Sequence, residues 1–175
     1  MSGHNKWSKV KHQKAKTDAQ KSKMFSKLVR FIATEARKSK GDKTAPGLRA
    51  AVEKARAANM PTDNIERAIE KASGEGVELN HVTFEAYGPG GTALIIDGYT
   101  DNNNRTVQEI KHILNKNGGT LANQGAALWA FSKTESSYEA LAPVELTEED
   151  LDKLSALVDA LDDHDDVSEV YTNAA

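Results

Sequence analysis

The sequence predicts an α+β protein: a basic extended arm, then a three-helix bundle, then a small, mostly antiparallel α/β sandwich domain. Three observations carry that prediction. Apolar residues recur at helical spacing through residues 17–78, and from residue 80 they give way to short β-branched and aromatic runs. Charge divides at the same point. Residues 1–79 hold 18 Lys+Arg against 9 Asp+Glu, whereas residues 80–175 hold 5 against 17. The formal net charge of −3 therefore conceals halves of +9 and −12. Residues 1–40 alone carry 12 basic and 2 acidic side chains, a density that points to a polyanion such as RNA or DNA.

At 175 residues the chain accommodates one domain or two small ones. With only 6% aromatic residues, Ala, Leu, Ile and Val must supply most of the core. The absence of cysteine excludes disulfides and thiolate metal sites. No run approaches the roughly 20 apolar residues of a membrane span. The polar, lysine-rich start lacks the apolar segment of a secretory signal. A cytoplasmic location with no membrane partner is the expectation.

Residues 1–16 show no helical or strand period and are expected to form an extended, flexible arm, disordered or loosely helical when free. A helix is predicted from about Thr17, with Met24, Leu28, Phe31 and Ile32 on its apolar face and Gly41 closing it. Pro46 suits the first turn of a second helix, whose stripe is Leu48, Ala51, Val52 and Ala55. Asn59-Met60-Pro61 stops it. Thr62 or Asp63 can cap a third helix, and Asp63 with Glu66 has capping-box spacing. Ile65, Ile69 and Ala72 form its inner face, and Gly74 and Gly76 terminate it. The three-helix domain is thus placed at 17–78.

The α+β domain is placed at 80–175. His81–Tyr87 and Thr92–Tyr99 read as a hairpin around the turn Gly88-Pro89-Gly90-Gly91. Asp101–Asn104 offers helix caps, Val107, Ile110, Ile113 and Leu114 follow at helical spacing, and Gly118-Gly119 end that helix. Thr120–Ala122 and Ala126–Lys133 are predicted strands. Thr147 opens an amphipathic helix with Leu151, Leu154, Val158 and Leu161 on one side, and Val167–Tyr171 closes the domain as a strand. The order β-β-α-β-β-α-β implies helices on one sheet face.

Several of these segments resemble the YebC/PmpR family: GHNKWSKVKHQKAKTDAQKSKMFSKL at 3–28, LRAAVEKARAANMP at 48–61, YGPGGTALIID at 87–97, DNNNRTV at 101–107 and DDVSEVYTN at 165–173. The resemblance implies a three-helix amino-terminal domain followed by an α/β domain, and control of gene expression. Family members are described both as DNA-binding transcriptional regulators and as factors acting on the ribosome, including at stall-prone sequences. Mitochondrial relatives are described as translational activators. The family usually carries a further small domain inserted in the α/β part. Here Phe131-Ser132-Lys133 leads within about a dozen residues to Pro143–Leu146, so the insert is expected to be reduced to a short linker near 133–146.

The chemistry-bearing residues point the same way. Lys6, Lys9, Lys11, Lys14, Lys16, Lys21, Lys23, Lys27 and Arg30 can neutralise phosphates, with His4 beside them, and Trp7 and His12 can stack on a base or sugar. A solubilising tail is the alternative. Lysine dominance suits folded or unpaired RNA better than major-groove readout, which favours Arg, Asn or Gln on one recognition helix. The expected partners are the ribosome and its RNA, then duplex DNA, with no small-molecule substrate; a protein adaptor acting through the acidic domain is a third reading. Asn104, Arg105 and Thr106 at a helix start form a possible secondary anion site, against simple capping. His4, His12, His81, His112 and His164 show no metal-ligand spacing. The acids around His164 read as a solvated face. No cofactor, metal or catalytic residue is expected. Residues 141–175, with 11 acids and one lysine, can steer the molecule on a polyanion or fold back on the basic arm.

Overall fold

The computed structural model describes residues 6–13, 16–72, 78–135 and 137–175. They form two compact units. One spans Lys16–His81 with Tyr99–Asp101, and the other contains the amino-terminal segment, Val82–Gly98 and Asn102–Ala175.

The helical unit contains α2 (Asp18–Lys38), α3 (Pro46–Ala57) and α4 (Thr62–Lys71). A reciprocal capping box starts α2. The Gln20 N–H donates to Thr17 Oγ1 at 3.2 Å, and the Thr17 N–H donates to Gln20 Oε1 at 2.9 Å. Lys40 and Gly41 turn the chain out of the helix with positive φ, and Asn59 does the same after α3. Small residues (Ala36, Ala51, Ala55, Ala68 and Ala72) let the helices approach around Ile32, Leu48, Met60 and Ile65. Tyr99 belongs to this unit. Its ring lies 5.2 Å from Phe31 and 5.3 Å from His81, and its hydroxyl donates to Glu35 at 3.2 Å.

The expected Asp63–Glu66 capping box does not form. The chain is already helical at Thr62, so the cap position falls on Pro61, which has no acceptor side chain, and Asp63 lies inside the first turn. The helix ends at Lys71; Gly74 and Gly76, expected to terminate it, lie outside the described residues.

The α+β unit holds a four-stranded sheet in the order β3-β1-β2-β6, built from β1 (Asn80–Tyr87), β2 (Ala93–Thr100), β3 (Thr120–Ala122) and β6 (Val167–Thr172). Strand β1 pairs antiparallel with β3, and β2 with β6. Buried residues alternate along β2 between two cores. Leu94 and Ile96 pack with α5 (Asn103–Lys116) and α6 (Glu148–Asp162) through Ile110, Leu114, Leu154, Leu157 and Leu161. Ala93 and Ile95 pack on the opposite face with Ala127, Ala130 and Phe131. That second face is covered by a two-stranded sheet of β4 (Phe131–Lys133) and β5 (Tyr138–Ala140).

Three differences from the sequence-based expectation have physical causes. The predicted strand Ala126–Lys133 is a turn and a 3-10 turn that becomes extended only at Phe131. The carboxylate of Glu85 collects the backbone N–H groups of Gly125, Ala127 and Leu128, withdrawing them from any strand ladder. Strand β5 was not expected, because Tyr138–Ala140 is too short to show a period. The amino-terminal arm is not extended: Lys6–Gln13 form a helix, α1, which packs against α6 in the α+β unit.

Strand β2 also carries a close backbone approach. The β2–β6 register shifts between Asp97 and Gly98, and a Cβ on Gly98 would lie 2.2 Å from the Asp166 carbonyl oxygen. The substitution Gly98→Ala is expected to destabilise the protein by about 1–3 kcal/mol through overpacking. Chemical denaturation monitored by far-UV circular dichroism checks this; an unchanged midpoint contradicts it.

Candidate nucleic-acid interface

An isolated eight-residue helix is marginal in water, so α1 needs a tertiary partner. Trp7 supplies it. Only 8% exposed, it joins the core that contains Leu151, Leu154 and Val158 of α6. With Trp7 buried, Lys6, Lys9 and Lys11 remain exposed to solvent. The fold-back of the basic arm on the acidic domain, offered above as one use of residues 141–175, is therefore present in the structure. The expected stacking role of Trp7 is not available in this conformation, because the indole is enclosed by aliphatic side chains. His4 and Lys14 lie outside the described residues, as does the side chain of His12.

The remaining predicted cations belong to the helical unit. Lys16 precedes α2 and is exposed, its Nζ 3.2 Å from Met24 Sδ. Lys21 is exposed on the first turn of α2. Lys23, Lys27 and Arg30 follow at i, i+4, i+7 on one stripe of the helix and are half-buried. The predicted set is thus distributed over two units: Lys6, Lys9 and Lys11 on α1, and Lys16 to Arg30 on the other.

Three α2 side chains of the kind that read base edges each make an internal hydrogen bond. The Gln20 side chain closes the capping box, Arg30 donates to the Tyr99 carbonyl at 3.5 Å, and Arg37 donates from Nε to the Ala72 carbonyl at 3.3 Å. Lysines make up most of the remaining basic surface of the helix.

The possible anion site at Asn104–Thr106 already contains an anion from the chain itself. The Asp166 carboxylate, 6% exposed, accepts from Arg105 at 2.7 Å and from the Thr106 hydroxyl at 2.8 Å. The Arg105 N–H is capped by Asn102 at 3.1 Å. Capping, the alternative reading, describes this helix start. Donor atoms of Glu109, His164 and Asp166 lie within 4.8 Å of one another, a spacing that could suit a cation. They are instead tied into one network. His164 Nε2 contacts Glu109 at 2.6 Å, its Nδ1 accepts the Asp166 N–H at 3.1 Å, and the Arg105 guanidinium reaches both carboxylates. A guanidinium already supplies the positive charge that a metal would bring.

The sequence reading missed the features around β1. Glu85 and Tyr87, two residues apart, point to the same sheet face. Glu85 accepts from Gly125 at 2.6 Å, Ala127 at 2.9 Å and Leu128 at 2.8 Å. The Tyr87 hydroxyl donates to the Ala126 carbonyl and accepts from Trp129 Nε1 at 2.9 Å. The only sequence signal was a buried-pattern acid within a strand, which local periodicity does not interpret. On the same side of the sheet, burial and then the carboxylates of Glu169 and Asp97 push the Tyr171 hydroxyl well above the usual tyrosine range, so it stays protonated.

Known proteins match along nearly the whole chain. Residues 5–75 match the family described as the TACO1/YebC protein N-terminal domain, and residues 79–136 and 131–174 match its second and third domain. The chain belongs to the TACO1/YebC family. It is 47% identical to a probable transcriptional regulatory protein of Petrotoga mobilis, over 98% of this chain and 70% of that protein. A protein of the same description from Fervidobacterium nodosum is 38% identical over 99% of this chain and 93% of its own length. That alignment runs over 235 positions against 175 residues here, leaving at least 60 positions without a counterpart. A Thermosipho melanesiensis relative is 53% identical, but the match spans about half of it (54%). The crystal structure of a conserved hypothetical protein from Aquifex aeolicus superposes with a TM-score of 0.79 at 30% identity, covering 97% of this chain and 96% of that one.

Replacing Trp7 by Ala should cost about 3–5 kcal/mol, as for other buried large-to-small changes. Deleting residues 1–16 should shift the amide resonances of α6. Unchanged α6 resonances in the deletion variant would exclude the α1–α6 contact in solution.

Proposed function

We propose that this protein is a non-enzymatic, nucleic-acid-binding regulator of gene expression, acting in the cytoplasm on structured RNA, with the ribosome as its leading target and elongation at stall-prone sequences as its task. The observation that carries the reading is the character of the basic surface. On α1 and α2 its exposed cations are lysines, while Arg30 and Arg37 donate to the chain's own backbone carbonyls; exposed arginines lie on α3 and α4, at Arg49, Arg56 and Arg67. Lysines contact phosphate without reading sequence, which suits recognition by shape and backbone. The chain shares its family with proteins named as regulators, and among the described residues the Glu109–His164–Asp166 cluster is an ion-pair network with Arg105. We place the shortening of the chain at the β4–β5 turn, where the two matched pieces 79–136 and 131–174 meet.

Duplex DNA is the second reading, favoured by the description of the relatives as probable transcriptional regulatory proteins. Side-by-side binding to ribosomes, single-stranded RNA and duplex DNA separates the two. Contact with 6–8 phosphates gives a slope of log K against log salt of roughly −4 to −7. Substituting Lys6, Lys9 and Lys11 by Gln should make that slope shallower by roughly 2–3. Binding that is insensitive to salt, or a slope unchanged in the triple variant, counts against the lysine surface. Tight binding confined to particular duplex sequences would shift the assignment to DNA.

A further inference from the structure

We propose that Trp129 is a fixed stacking platform for an unpaired nucleobase, a site on the α+β unit that is separate from the lysines of α1. The proposal rests on the nucleic-acid reading above. Among the described residues, the exposed large hydrophobic side chains are Val29, Trp129 and Leu141, and Trp129 is the aromatic one, 62% exposed. An exposed indole on a loose loop would be unremarkable. This one is held from two sides. Its ring N–H donates to the Tyr87 hydroxyl at 2.9 Å, and that hydroxyl donates in turn to the Ala126 carbonyl. The residues leading into it are pinned by Glu85 through the N–H groups of Gly125, Ala127 and Leu128. Gly125 adopts φ 87°, a conformation that glycine allows at little cost. Glu85 is itself 5% exposed, so its charge is enclosed beneath the loop.

These contacts decide what the indole can offer. Its single donor is spent, so recognition by hydrogen bonding from the ring is closed and the exposed π-face remains. Stacking on that face accepts any base. The held orientation spares a partner the entropy of ordering the ring. The stretch that carries the indole, residues 120–134, holds Lys133 and no Asp or Glu. Lys111 and Lys116 belong to α5, in the layer on the opposite face of the sheet. Exposed Asn123 and Gln124 precede the loop and can hydrogen-bond to base edges. A fixed, exposed aromatic face on a stretch without carboxylates fits an unpaired base of a single strand.

The test uses the full chain and fluorescence anisotropy with a labelled 12-nucleotide oligouridine and an abasic oligomer of equal length. The change Trp129→Ala should weaken oligouridine binding roughly 5- to 150-fold, the equivalent of one base stack. The change Trp129→Phe should retain most of the affinity. Wild type and Trp129→Ala should bind the abasic oligomer equally, and the salt slope should not move, because no charge is removed. Circular dichroism establishes that each variant is folded, and the Phe variant carries the comparison should the Ala variant not be. Equal oligouridine affinities for wild type and Trp129→Ala overturn the platform, leave the nucleic-acid reading standing, and assign the surface to a protein partner. Failure of the wild type to bind either oligomer overturns the platform, and the nucleic-acid reading falls with it only if ribosomes and duplex DNA also fail to bind.

Discussion

The two-sided burial of β2 is the constraint on which the α+β unit depends. A strand that buries alternate residues on opposite faces needs a layer on each, and the two layers here are different. Leu94 and Ile96 face α5 and α6, and that core is the one Trp7 enters. Ala93 and Ile95 face the turn and short strands that carry Trp129. One strand therefore fixes the seats of both tryptophans. The small Ala93 beside the larger Ile95 lets Ala127 and Ala130 come close on that side, which brings the 125–129 turn within reach of Glu85.

Burial decides between the two tryptophans in a way that sequence context does not. Trp7 stands among lysines and has the context of a base-stacking residue, yet its indole fills an aliphatic core. Trp129 stands in the apolar run Ala126–Phe131 and has the context of a core residue, yet its ring is exposed. An indole is large enough to anchor a helix too short to persist alone, and α1 is such a helix. The lysines around Trp7 fit this role, since the anchor leaves Lys6, Lys9 and Lys11 on the outside. Anchoring a cationic helix on the domain richest in acids also gives the arm an electrostatic partner at long range, which salt would weaken.

Most of the fold was legible because its signals are local. The helices from Asp18, Pro46, Asn103 and Glu148 announce themselves through caps and 3.6-residue periods, and β1, β2 and β6 through β-branched runs. The illegible parts are those set by distant contacts. Strand β5 and the turn at 125–130 owe their form to Glu85 and to pairing with β4, and α1 owes its form to α6. The same distinction applies to the site. The lysines were visible as composition. The occupancy of the Arg105–Thr106 helix start was not, because Asp166 arrives from 60 residues away.

That occupancy has a consequence for how this surface discriminates among anions. A helix start with an arginine just inside it attracts phosphate in proportion to its unmatched positive charge. At α5 the match is made internally by a carboxylate that is nearly enclosed and bonded to both Arg105 and Thr106. An incoming phosphate would have to displace Asp166 and leave it buried without its partner, a loss of several kcal/mol for a group of this kind. The α5 start is therefore closed to competing anions. Among the described residues of the α+β unit, Arg105 and Lys153 are exposed but paired with carboxylates of their own chain, and the other exposed cations are those of α1 with Lys111, Lys116 and Lys133. The fold thus closes the secondary anion site, and lysine side chains remain the exposed basic groups of α1, suited to following a phosphate backbone without demanding a single register.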